Sequence, residues 1–203
     1  VLIAVERLLV RVRQVPSRAD ELLVLRRRVR AERSANPGAE ERAAAAEILA
    51  AKEKLSHALS TVTSCSTCAR GKRWPRGAFP GGDCCSAVTA DLFSDDEVAA
   101  LAQTGTRPRD LEAPRTDHVG CAFRGATGCT LEVAHRPGRC VNYTCFILRG
   151  ELRGRGELAK IDELRAELLA AQAKFRALRE RRQDDELLEP LETALRDQRP
   201  SQR

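Results

Sequence analysis

The sequence predicts a mainly α fold, in which long helices form a helical hairpin or bundle flanking a loop-rich, cysteine-ligated metal-binding module. Three observations predict it. Apolar residues recur every three or four positions in both terminal arms. All eight cysteines, Cys65, Cys68, Cys84, Cys85, Cys121, Cys129, Cys140 and Cys145, fall in one central segment and none in the arms. That segment is rich in Gly and Pro and poor in strand signals, while a hydrophobic content of 42% with only 3% aromatic residues is the Ala and Leu usage of packed helices. The expected regions are an N-terminal helical arm (1–62), a Cys-rich module (63–155) and a C-terminal helix with a polar tail (156–203).

In the first arm, Glu6 and Arg7 interrupt the opening apolar run, which is too short and too charged for a membrane span and is a poor secretory core. A cytoplasmic chain without a membrane span is therefore expected. Ser17 with Asp20 three residues later makes a capping-box-like start for a helix to about Ala35, and Asn36-Pro37-Gly38 forces a turn. From Ala39, the residues Ile48, Ala51, Leu55, Ala58 and Val62 fall on one stripe of a second helix reaching about residue 62. In the last arm, Ile161, Leu164, Leu168, Ala171, Phe175 and Leu178 form a second seam, with Pro190 expected to end or kink the helix. The simplest closure pairs 39–62 with 157–183 as an antiparallel hairpin carrying the module at its tip. The alternative is a seam between two chains, so self-association or a protein partner along helical seams is the expected kind of contact.

Within the module, Ser94-Asp95-Asp96-Glu97 is a capping box, Val98, Leu101 and Ala102 follow as an apolar stripe, and Gly105 supplies a stop. The remainder reads as irregular loop, which needs ties beyond a conventional core. Clustered cysteines supply them as a metal site or a disulfide framework. The C-x-x-C spacing of Cys65 and Cys68 suits one ion, and adjacent Cys84 and Cys85 cannot easily bond each other, so metal is favoured. The cofactor is an iron–sulfur cluster or zinc, in one or two centres. The irregular ligand spacing favours the cluster, because its corners are wider apart than the vertices around one zinc.

His118, three residues from Cys121, is a candidate extra ligand, or else a loop histidine bonded to backbone. Arg136 and Arg139 are candidates to donate to thiolate sulfurs around the site, or to loop carbonyls instead, and Tyr143 and Trp74 are candidates to cover it. His57 and His135 read as surface groups.

Four pieces of the module resemble a known family. They are Cys65-x-x-Cys68 followed by Cys84-Cys85; Leu92-Phe93-Ser94-Asp95-Asp96-Glu97; Cys121-Ala122-Phe123 with Gly128-Cys129-Thr130-Leu131; and Arg136-Pro137-Gly138-Arg139-Cys140-Val141-Asn142-Tyr143. Together they resemble the zinc- or iron-chelating domain family, also called the YkgJ or CxxCxxCC family, over about residues 65–145. The last piece matches its most specific signature, R-P-x-x-C-x-x-Y. The chain departs from the family in placing fifteen residues between Cys68 and Cys84 instead of two, and in carrying Cys145 beyond the signature. The resemblance implies a cysteine-ligated zinc or iron site, and some relatives carry an iron–sulfur cluster beside methyl-transfer activity.

The formal charge of +6 counts cysteine as neutral; eight thiolates on two divalent ions would leave about +2. The dense basic run Arg26-Arg27-Arg28, Arg30 and Arg33 spreads around a helix like a solvated face, and with few aromatic platforms nucleic acid is not the expected partner. No nucleophile–base pair, phosphate loop or dinucleotide fingerprint stands out, so catalytic residues are not assigned. The expected function is a metal-binding protein acting as a structural, redox or interaction module. The alternatives are a metalloenzyme or the cluster-bearing subunit of one, and a coiled-coil adaptor with a structural metal head.

Overall fold

A computed structural model of the chain describes residues 18–65, 89–114, 121–125 and 128–197. In chain order these form α1 (Arg18–Ser34), α2 (Ala39–Ala58), α3 (Thr89–Leu92), α4 (Asp95–Gln103), α5 (Gly138–Asn142), α6 (Phe146–Gly154) and α7 (Leu158–Asp197). Two 3-10 turns, Pro108–Asp110 and Val133–His135, and one antiparallel pair of two-residue strands, β1 (Arg124–Gly125) and β2 (Gly128–Cys129), complete the described elements. The mainly α expectation is met.

The two apolar stripes close on each other. Ala44, Ala45, Ile48, Ala51 and Leu55 of α2 are buried in one cluster with Ile161, Leu164, Leu168 and Phe175 of α7. Ion pairs along this seam fix its direction: Glu41 meets Arg182 (2.7 Å), Glu47 meets Lys174 (2.6 Å) and Lys54 meets Glu167 (3.7 Å). One residue number rises as the other falls, so the pair is an antiparallel hairpin within the chain. Helix α2 ends at Ala58, four residues before the expected limit, but Val62 still packs against the cluster from the turn that follows. Pro190 does not end α7, which continues to Asp197. Proline removes the amide that would bond the Glu186 carbonyl, and on this exposed turn water can take its place.

The central segment holds more helix than its Gly and Pro content suggests. Helices α3, α5 and α6 replace expected loop. Cys145 caps α6, its Sγ accepting from the Leu148 amide (3.5 Å), and Leu148 and Leu152, one turn apart, bury into the hairpin core. A second apolar cluster joins Leu25 and Val29 of α1 to Leu92, Phe93, Val98, Leu101, Leu111, Phe123 and Leu131, with the rings of Phe93 and Phe123 tilted at 5.5 Å. The described part of the segment thus shares a second core with α1. Helix α4 belongs to both clusters, giving Ala99 and Ala100 to the first and Val98, Leu101 and Ala102 to the second.

The basic run of α1 is not simply a solvated face. Arg26 donates from Nε and Nη2 to the Leu111 carbonyl (3.2 and 2.8 Å), Arg28 pairs with Asp95 (2.7 Å), and Arg33 reaches the Thr106 carbonyl (3.4 Å). Only Arg27 and Arg30 of the five turn outward from these ties.

Leu168 lies fully buried in the middle of the seam. Leu168→Ala should lower unfolding free energy by about 2–5 kcal/mol in urea titration, with the mass in solution unchanged. An unaltered midpoint would contradict the hairpin core.

Candidate functional site

The first turn of α4 organises the centre of the molecule. Ser94 caps the helix by accepting from the Glu97 amide (3.4 Å). The three acids that follow reach α1, α5 and α7 between them. Asp95 takes Arg28 of α1, while Asp96 takes Arg176 of α7 (3.0 Å) and lies 3.5 Å from Arg179. Glu97, buried, turns to the segment that carries Cys140. The amides of Gly138 and Arg139 donate to its Oε2 (2.8 Å) and Oε1 (3.1 Å), and the Gln172 Nε2 donates to Oε1 (2.7 Å).

A buried lysine holds the same segment from the other side. Lys52 occupies the inward stripe of α2 between Ile48 and Leu55 and is only 2% exposed. Its Nζ donates to the carbonyls of Ala134 (3.0 Å) and Arg136 (2.8 Å). Burial pushes its pKa down to about 8, against the opposing pull of Glu97, Glu53 and Cys140. Residues 134–140 are therefore fixed by an ammonium on their carbonyls and a carboxylate on their amides. The approach is close at Gly138: a Cβ there would come within 2.6 Å of the Gln172 Nε2 and 3.3 Å of the Glu97 Oε1, so a larger residue would displace the Gln172 side chain.

A second set of contacts holds the residues just before Cys65. Glu151 of α6 accepts from the amides of Thr63 and Ser64 (both 2.9 Å), and Arg155 donates to the Thr61 carbonyl (3.1 Å) and hydroxyl (2.6 Å). The Thr63 amide leads the hydrogen bonds that push the Glu151 pKa down to about 2. Farther along, the Thr89 hydroxyl accepts from the Ala122 amide (3.0 Å), fixing the chain beside Cys121.

Cys65 is exposed and Cys121 buried, and Cys129, Cys140 and Cys145 are partly buried. Cys121 belongs to the second cluster, Cys129 and Cys140 pack against it, and Cys145 packs against the hairpin core. Among the described residues no three His, Cys, Asp or Glu side chains gather as a metal site, and no disulfide joins two of the cysteines. Cys68, Cys84, Cys85, His118, Trp74 and Ser17 lie outside the described residues. Of the flanking candidates, Arg136 donates to the Leu131 carbonyl (2.7 Å) and Arg139 to the Asp91 carbonyl (2.8 Å), which is the loop-carbonyl alternative, and Tyr143 is half exposed. His135 is tied in by the Thr106 hydroxyl at 3.0 Å. Sequence reasoning passed over Lys52, Gln172 and Glu151. Lys52 alone carried a signal, being a charged residue on an apolar stripe.

Lys52→Met should cost about 1–3 kcal/mol in denaturant titration, because two carbonyls lose their donor; a change below about 0.5 kcal/mol would show that this contact is not structural. Glu151 gives a pH dependence. Its folded pKa lies below the unfolded value of 4.5, so its contribution is present above pH 4.5 and lost as pH falls toward 2. Wild type should be more stable than Glu151→Gln at about pH 6, with the gap closing across that window. A gap independent of pH would contradict the assignment. Compared with protein-family models, curated proteins and solved structures, the chain matches none.

Proposed function

We propose that the chain is a cytoplasmic metal-binding protein whose cysteines ligate an iron–sulfur cluster or zinc, in one or two centres. It acts as a structural, redox or interaction module on a helical scaffold. The observation that carries this reading is the fixation of the Cys140 segment: a short stretch held by Lys52 on its carbonyls and Glu97 on its amides. Such rigidity suits a ligand that must present sulfur at a set position. Cys121 lies within the apolar cluster that Cys129 and Cys140 pack against, and burial there would shield a thiolate-bound ion from solvent. The confinement of all eight cysteines to residues 65–145 supports the same reading, as does the resemblance to the zinc- or iron-chelating domain family. The ligand set would be completed by Cys68, Cys84 and Cys85. A centre closed by four thiolates serves structure or electron transfer, since no position is left for substrate.

Metal and acid-labile sulfide analysis of protein purified without oxygen tests this directly. Iron with sulfide and broad visible absorption would assign the cluster; stoichiometric zinc in colourless protein would assign zinc. Protein lacking metal, with its cysteines in disulfides, would overturn the proposal. Cys140→Ser should lower bound metal while leaving most of the helical circular dichroism, because the α2–α7 core does not depend on thiolate. Full metal content in that variant would remove Cys140 from the ligand set.

A further inference from the structure

Among the helix faces that leave apolar residues exposed on the described scaffold, two are complementary. The first is the outer side of α1, opposite Leu25 and Val29. There Leu23 (48% exposed), Val24 (53%), Arg27 and Arg30 lie along one side of the helix. The second is the end of α7. Glu41, in the first turn of α2, meets Arg182, so residues 183–197 continue about 22 Å beyond the hairpin. In this extension Leu187 is 71% and Leu188 52% exposed, with exposed Asp184 and Asp185 one turn before them. These leucines sit about half a turn around the helix from the Leu168–Phe175 seam. The extension therefore presents a new apolar stripe and does not prolong the old one. Arg27, Arg30, Asp184 and Asp185 form no ion pair among the described residues.

The extension cannot lie along its own α1. Glu32, near the end of α1, pairs with Arg179, and α1 runs back from there beside α4 through Arg33 to Thr106 and Arg28 to Asp95. We infer that a second copy of this chain covers both faces, the acidic leucine stripe of each α7 packing on the basic outer face of the other copy's α1. Each chain carries both halves, so a single two-fold operation satisfies them together. The lengths agree as well, since the 17 residues of α1 span about 26 Å. Pairing sets arginines against aspartates and leucines against Leu23 and Val24, which gives both register and burial.

Light scattering on the full chain across a concentration series tests the inference. Wild type should have the mass of two chains. Arg27→Glu with Arg30→Glu, and separately Asp184→Arg with Asp185→Arg, should each weaken self-association at least about tenfold while circular dichroism stays native. Mixing the two variants should restore dimers, because in that pair every contact again joins opposite charges. A wild type that stays monomeric would overturn the inference and leave the leucine stripe to another occupant, such as residues 1–17. A dimer indifferent to both charge reversals, or variants that fail to pair when mixed, would overturn it too.

Discussion

The buried carboxylate of Glu97 is the contact on which the centre of this structure depends. Removing a carboxylate from water is costly unless its oxygens find donors, and here two backbone amides and one side-chain amide supply them. The donors come from α5 and α7, while the acid stands on α4. Satisfying one charge therefore locks three elements in register. Lys52 adds a fourth, because its ammonium on the Ala134 and Arg136 carbonyls joins α2 to the same stretch of backbone.

The two apolar clusters explain why such ties are needed. The hairpin core and the α1 core meet at α4, which gives residues to both, and hydrophobic contact alone is not directional. Charged groups at the junction provide the direction. Arg179, 5% exposed, bonds Glu32 through both terminal nitrogens (2.9 and 2.7 Å), and Arg182 reaches Glu41, which also accepts from Gln103. Breaking one partner of such a pair would leave a buried charge uncompensated.

The long elements were legible because their apolar spacing extends over several turns: Ile48 to Leu55 faces Ile161 to Phe175, and the Ser94 cap is local chemistry. Helices α5 and α6 were not, since five and nine residues give too little period and one of them opens with Pro137-Gly138. The basic run was misread for a different reason. Whether Arg26, Arg28 and Arg33 are solvated depends on Leu111, Asp95 and Thr106, more than sixty residues away, and no local pattern announces such partners. The cysteine cluster was visible as composition, and its chemistry remains a proposal. What the fold adds is the reason why Cys140 has a fixed place: the segment leading to it is a backbone clamped by two buried charges.

Hydrogen exchange at the Gly138 and Arg139 amides measures that clamp most directly. Both amides donate to Glu97 and not to a helix carbonyl, so their protection reports the carboxylate itself. The account predicts protection comparable to amides in the α2–α7 core, lost selectively in Glu97→Ala while α2 and α7 stay protected. Exchange at free-loop rates in wild type, or unchanged protection in the variant, would contradict it.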